Sequence, residues 1–334
     1  MRRLCGTPKA FGAEHAEFAL EMAIDLTPSA APSTIEATYK SRELEGWIDI
    51  HFYRKIGFSL ATFFEKLRMT PTAVSFLGCI VGVVAGHLYY YRDLSANIAG
   101  MVLHVGANTL DNADGQLARL TNRKSRTGRI IDSLADHLIW VSIYVHLALR
   151  CLAEGASPAV AFLALAAGLS HALQGAAADY YRNGYLYFAK KRSRADLDSS
   201  SILREEYRRH SWRREPWHKF LLALYLNFTW QQEMLSPGVE RLRQAIGRDF
   251  PGEIPIWLQT RYRDSAQPML KWWRLLMTNT RMLLLFLLLL IGRPVWYFWL
   301  ELSAFNVLLV YLILWQERLS RSLIELATAR REPA

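Results

Sequence analysis

Nineteen consecutive uncharged residues, Ala73 to Tyr91, decide the class of fold open to this chain. A helix rises about 1.5 Å per residue and a bilayer core is about 30 Å thick, so a run of this length crosses one. It is entered through Thr70-Pro71 and closed by Tyr89, Tyr90 and Tyr91, rings that suit a headgroup boundary. Five more apolar runs follow. They are 94–110, 138–149, 158–178, 275–291 (interrupted by Arg281) and 295–315 (interrupted by Glu301). The expected fold is an all-α integral membrane protein built as a six-transmembrane-helix bundle. The sequence offers no account of Glu301.

The polar stretches divide the chain further. Residues 1–40, with Thr27-Pro28-Ser29-Ala30-Ala31-Pro32-Ser33, read as a flexible tail with no signal peptide. Residues 41–69 read as an amphipathic juxtamembrane helix. Ile48, Phe52, Ile56, Leu60, Phe63 and Leu67 recur every three or four residues, and Trp47 and Tyr53 suit the interface. Residues 70–184 hold spans one to four, 185–270 a cytosolic helical insert, and 271–334 spans five and six with a C-terminal tail. The insert contains one amphipathic-looking stretch, Trp217 to Trp230.

Charge placement orients this layout. The chain carries 40 Lys and Arg against 30 Asp and Glu, a net charge of +10. Arg92, Arg150 and Arg293 stand singly in one set of loops. Basic residues crowd the other set, around Arg119–Arg129, Lys190–Lys219 and Arg318–Arg331. Basic loops stay inside, so both termini face the cytoplasm. Heavy Arg and Ala usage suggests a bacterial inner membrane. Interleaved Arg, Trp and Tyr beside a bilayer suit anionic membrane lipids better than nucleic acid, which is excluded as a partner. Cys5, Cys79 and Cys151 are too few for a disulfide framework or a cysteine zinc site.

The chemistry concentrates between residues 111 and 136. Asp111, Asp114, Gly115 and Ala118 share one face of a helix, and Gly128, Asp132 and Asp136 share a face of the next. The connection between them is short, which makes the helices antiparallel neighbours. Four carboxylates then converge at the cytoplasmic end of a buried hairpin. Ionisable groups inside spans are rare and mark function. Arg119 and Arg129 alone are too little charge to offset four acids. Hard oxygen ligands with no obvious His or Cys cluster nearby favour Mg²⁺, Mn²⁺ or Ca²⁺ over zinc, and two ions sharing carboxylates would fit. Gly115, Ala118 and Gly128 leave room beside them, and Arg119 can fork onto phosphate oxygens. The blander reading is an inert salt-bridge network, which four acids with matched small residues disfavour. His104, His137, His146 and His171 read as packing residues.

These residues resemble the signature of the CDP-alcohol phosphotransferases (CDP-alcohol phosphatidyltransferases): Asp111-x2-Asp114-Gly115-x2-Ala118-Arg119-x8-Gly128-x3-Asp132-x3-Asp136. Every defining position is present. Thr70-Pro71-Thr72 is similar to the Thr-Pro-Asn that often opens the family's first span, with Thr72 in place of Asn. The long insert departs from compact members. The resemblance implies transfer of a substituted phosphate from a CDP-linked donor, expected to be CDP-diacylglycerol, to an alcohol acceptor, with release of CMP in phospholipid biosynthesis. It implies that Asp111, Asp114 and Asp132 ligate Mg²⁺ or Mn²⁺, and that Asp136 ligates a second ion and acts as general base. Gly115, Ala118, Arg119 and Gly128 would line the CDP site. Family members are often homodimers.

For the acceptor, Arg182 at the end of the fourth span and Arg281 in the fifth are the candidates, with an inositol phosphate or glycerol phosphate as the expected ligand. Three alternatives compete: transfer from a soluble CDP-alcohol to a lipid alcohol, a carboxylate-lined divalent-cation transporter, and a catalytically silent scaffold. Transport sites lie near the midplane at a repeat interface. Here the acids lie at one end and no repeat is visible.

Overall fold

The structure is a computed structural model, and it describes residues 35, 42–190, 197, 199–250 and 253–329. The expected N-terminal tail, apart from residue 35, lies outside the described residues. All regular elements among them are helical. A π-helical turn, Asp49–Tyr53, leads into α1 (Arg54–Lys66). Then come α2 (Pro71–Leu88), α3 (Leu94–Leu120), α4 (Arg126–Ala153) and α5 (Ala159–Lys190). The next four are α6 (Ser200–Arg209), α7 (Pro216–Leu235), α8 (Pro237–Asp249) and α9 (Ile256–Trp273). After the 3-10 turn Arg274–Leu276 the chain ends in α10 (Thr278–Leu290), α11 (Val295–Leu302) and α12 (Ala304–Ala329).

The helix starts are set by short polar side chains that satisfy the open N–H groups of a first turn. Thr70 accepts from the Ala73 amide at 3.2 Å, with Pro71 at the first position of α2. Asp93 accepts from the Ala96 amide and Ser125 from the Gly128 amide, each at 3.0 Å. The connection between α3 and α4 turns sharply at Asn122, whose φ is +50°.

Among the described residues, five stretches are long and apolar enough to cross a membrane: Pro71–Leu88, Arg126–Ala153, Ala159–Lys190, Ile256–Leu290 and Val295–Ala329. The second expected span, at the start of α3, is not one of them, because its apolar part ends at Leu110 and Asp111, Asp114 and Arg119 follow in the same helix. Two spans differ from expectation in shape. The fifth is preceded by the polar helix α9, which runs into it through the 3-10 turn before Met277. The last breaks at Ser303, whose ψ of −83° is not helical, two residues after Glu301.

Side-chain exposure follows a bilayer rather than water. Phe76, Ile80, Val141, Val145, Phe162, Leu165, Leu283, Leu287, Val307 and Val310 are all exposed apolar groups on these helices. The stripe expected on the juxtamembrane helix also turns outward, with Phe52, Ile56, Phe63 and Leu67 exposed. Its opposite face, Tyr53, Gly57, Ala61 and Phe64, is buried against α3 with Val74, Ala113 and Leu117.

Three glycines one turn apart let α2 approach its neighbours closely. A Cβ at Gly78 would stand 3.3 Å from Leu110 Cβ on α3. One at Gly82 would stand 2.5 Å from Ile139 Cδ1, and one at Gly86 2.9 Å from the Ile143 backbone nitrogen, both on α4. This three-helix contact holds the motif helices side by side.

Candidate active site

The α3–α4 hairpin brings together carboxylates that are 18 and 21 residues apart in sequence. One oxygen from each of Asp111, Asp114 and Asp132 lies within 4.8 Å of the others. Asp114 is 4% exposed and accepts a hydrogen bond from Ser75 Oγ on α2 at 2.5 Å. Asp136 stands outside this triad and is exposed. Four residues of helix advance about 6 Å, so it lies a turn further along α4, near enough for its charge to act on Asp114 and on Cys79. Three of the four acids therefore converge, and the fourth flanks them.

The triad opens into a cavity of about 610 Å³. Gly115 and Arg119 line it with the acids, and Arg182 reaches it from α5. Arg119 folds back over Gly115, where a Cβ would lie 3.4 Å from its Nη2. The Arg182 Nε is buried with no hydrogen-bond partner among the described residues. Lys271 and Arg274 add two more cations from the α9–α10 junction. Acids and cations thus line one cavity. Ala118, Gly128 and Thr72 are not among its lining residues.

The remaining wall is the segment leading into α1, with Glu45, Asp49 and Arg54, the first residue of that helix. Arg54 and Glu45 form a buried pair, Nε to Oε2 at 3.0 Å and Nη2 to Oε1 at 2.9 Å. Gln116 Nε2, on the motif helix, donates to the Arg54 carbonyl at 3.1 Å. Arg274 Nη1 donates to the Glu45 carbonyl at 3.0 Å, and Asn279 Nδ2 to Asp49 Oδ1 at 2.7 Å. Further back, Glu43 accepts from Tyr185 Oη at 2.6 Å, from Lys190 Nζ at 2.7 Å and from Arg263. Burial by itself would raise the Glu43 carboxyl. The bonds from Lys190 and Tyr185 and the charges of Lys190 and Arg263 outweigh it and hold the group below its ordinary value.

Arg281 is not part of this cavity, contrary to the expectation that it helps bind the acceptor. It is 1% exposed and its donors are used internally. Nη1 pairs with Glu301, Nη2 donates to Gln174 Oε1 at 2.6 Å, and Nε donates to the Leu276 carbonyl at 3.0 Å. The Phe305 ring covers the guanidinium at 5.1 Å. A lone charge inside a bilayer is costly unless it is paired, so Glu301 and Arg281, unexplained separately, account for each other. Of the four histidines expected to pack, His104 bonds Tyr89 Oη at 3.2 Å and His171 bonds Tyr144 Oη at 3.1 Å, whereas His137 is exposed.

Sequence spacing missed Ser75, Lys271, Arg274 and the Glu45–Asp49 wall. Ser75 meets Asp114 and the others line the cavity across sequence separations that no local pattern encodes. Arg54 alone left a signal, a charge on the side of the juxtamembrane helix away from its apolar stripe.

The triad suits a hard divalent ion. Mg²⁺ holds its oxygens at about 2.1 Å, so two oxygens on one ion stand at most about 4.2 Å apart. Small side-chain rotations bring the observed group within that limit.

Comparison with known proteins supports the same region. Residues 68–186 match the family model for CDP-alcohol phosphatidyltransferase. An archaetidylinositol phosphate synthase from Pyrococcus horikoshii is 36% identical over 95 residues, 28% of this chain. The match spans 47% of that relative, about half its length. No solved structure matches the chain. Residues 68–186 are thus similar to a CDP-alcohol phosphatidyltransferase domain, and they form α2 to α5 of a longer helical chain whose other elements complete the cavity wall.

Proposed function

We propose that the protein is a phosphotransferase of phospholipid biosynthesis, moving a phosphatidyl-type group from CDP-diacylglycerol to a phosphorylated alcohol such as an inositol phosphate or glycerol phosphate. The observation that carries this reading is the pairing of the Asp111–Asp114–Asp132 triad with the cations that line the same cavity. A diphosphate and a second phosphate need such an arrangement, with bound cations for one and guanidinium groups for the other. A relative named for making an inositol phosphate lipid agrees with it. The start of α3 serves as the second span, with Leu94, Ile98 and Val102 exposed toward lipid. The site faces the cytoplasm of a bacterial inner membrane.

Asp111, Asp114 and Asp132 would hold Mg²⁺ or Mn²⁺, and Asp136 would contribute to a second ion. When bound, the metal neutralises the diphosphate and so stabilises charge that develops on the departing oxygen. Arg119, lying over Gly115, forks onto the diphosphate oxygens. Arg182 and Lys271 receive the acceptor's phosphate and hold its hydroxyl against the donor. Asp136 takes the hydroxyl proton as the alcohol oxygen bonds to the lipid-linked phosphorus. The bridging P–O bond of the diphosphate breaks, and its electron pair leaves with CMP. Glu45, Arg54 and Asn279 hold the juxtamembrane wall in place, which limits water as a competing nucleophile.

Detergent-purified protein given CDP-diacylglycerol, Mg²⁺ and a panel of alcohols should release CMP with one phosphorylated acceptor. Asp136→Asn should abolish release. Release from no member of the panel by well-folded protein, or full activity in Asp136→Asn, would end this reading.

A further inference from the structure

We propose that the insert carries a second metal site, for a zinc-type transition ion, made by Glu206, His210 and His218 on the α6–α7 hairpin. One ligand atom from each of the three lies within 4.8 Å of the others. Glu206 stands in the last turn of α6, and His210, four residues on, is the extended residue that caps its end. A tight connection then turns the chain into α7, where Pro216 starts the helix and His218 comes back over His210. The two imidazole rings lie 4.6 Å apart, centre to centre.

The surrounding contacts are those a metal-ligating group needs. A histidine that binds a metal through one ring nitrogen almost always gives the other to a carboxylate or carbonyl, which settles its tautomer and orientation. His210 Nδ1 meets Glu215 Oε2 at 2.6 Å, which leaves Nε2 for the ion. Glu206 Oε2 is held by Arg126 Nη1 at 2.6 Å, and a carboxylate has lone pairs enough to serve a guanidinium and a metal together. Lys219 Nζ, a cation close by, donates to the His210 carbonyl at 2.6 Å and sits over Tyr207. It is engaged away from the imidazoles.

Two imidazole nitrogens and one carboxylate oxygen select zinc and its neighbours over Mg²⁺, which prefers oxygen alone. His218 is exposed, so the fourth position opens to water. The cations Arg126 and Lys219 weaken the pull on a dication, and two neutral nitrogen ligands are suited to that environment. Arg126 is also the first residue of α4, the helix that carries Asp132 and Asp136. The ion would therefore brace the insert against the start of that helix. This site is independent of the reading of the aspartate cavity.

The test uses full-length protein in detergent, any histidine tag removed, stripped with chelator and kept in excess Mg²⁺ to occupy the aspartates. After zinc addition and gel filtration, elemental analysis should find about one retained zinc per chain. Retention should fall at least tenfold in His218→Ala and in His210→Gln and hold in His146→Ala, each variant checked for helicity and a single gel-filtration peak. Cobalt substituted for zinc should give visible absorption bands that His218→Ala removes. Absence of retained zinc in the parent protein, or equal retention in well-folded His218→Ala, overturns the proposal. If both histidine variants fail to fold, the parent's cobalt spectrum decides, and a spectrum without nitrogen-ligand bands overturns it.

Discussion

Ser75 donates its hydroxyl to the Asp114 carboxylate at 2.5 Å, from a helix that carries none of the motif acids. The bond ties α2 to the centre of the triad and directs one lone pair of Asp114, so that the carboxylate presents the rest to the cavity. Groups that orient metal ligands typically change metal affinity or activity by about 10–100-fold when removed. Ser75→Ala should therefore raise the Mg²⁺ concentration for half-maximal CMP release by about tenfold, with a smaller change at saturating Mg²⁺. An unchanged Mg²⁺ dependence would show the bond to be incidental.

Arg281 and Glu301 should behave as a structural pair. Breaking a buried pair from one side strands a charge and costs about 3–5 kcal/mol. Glu301→Ala should lower the melting temperature in detergent sharply. Arg281→Met combined with Glu301→Leu should recover most of the loss, because neither charge is then left alone. The double variant should also keep the parent's Michaelis constant for the acceptor. A stable variant with a much raised acceptor constant would return Arg281 to the acceptor site.

What was legible in the sequence follows from the range of the forces involved. Asp111, Asp114 and Asp132 share faces set by helix periodicity, so spacing alone placed them together. Asp136 obeys the same periodicity, yet four residues of rise carry it out of the triad, a distinction that face-sharing does not make. The break at Ser303 and the pairing of Glu301 with Arg281 depend on α10, α11 and α5 meeting, which has no local pattern. Glu206, His210 and His218 come together only through the α6–α7 turn, which no local spacing announces. Hydropathy located five crossings, and in the α9–α10 stretch the apolar part comes only at its end, because Arg261, Arg263, Asp264 and Lys271 make α9 polar.

The close approach of α2 and α4 makes a sharp steric prediction. In Gly86→Ala the new methyl would stand 2.9 Å from the Ile143 backbone nitrogen and 2.6 Å from Ser142 Oγ, and backbone does not give way cheaply. Overpacking of this kind costs about 1–3 kcal/mol. The strain should also pull Ser75 away from Asp114, since both contacts lie on the same helix. Gly106→Ala is the control, because its nearest neighbour, Val81 Cγ1, is 4.0 Å away. Thermal melts and CMP release should show Gly86→Ala impaired in both and Gly106→Ala in neither. Equal behaviour of the two variants would mean that the helices are not packed this closely.

Glu43 anchors the segment that walls the cavity, and its depressed carboxyl gives that anchorage a pH signature. In the unfolded chain the group titrates near 4.5, and in the folded protein it titrates lower, held by Lys190, Tyr185 and Arg263. A depressed carboxylate contributes stability that is complete above its unfolded value and is lost as pH falls through the folded one. Glu43→Gln should therefore melt lower than the parent by a constant margin at neutral pH. That margin should shrink once the pH drops below about 4.5. The residue is partly exposed, so the margin should also narrow in high salt. Melting curves of both proteins across that range test it, and a gap that widens in acid would mean that Glu43 is not held as an anion by its three partners.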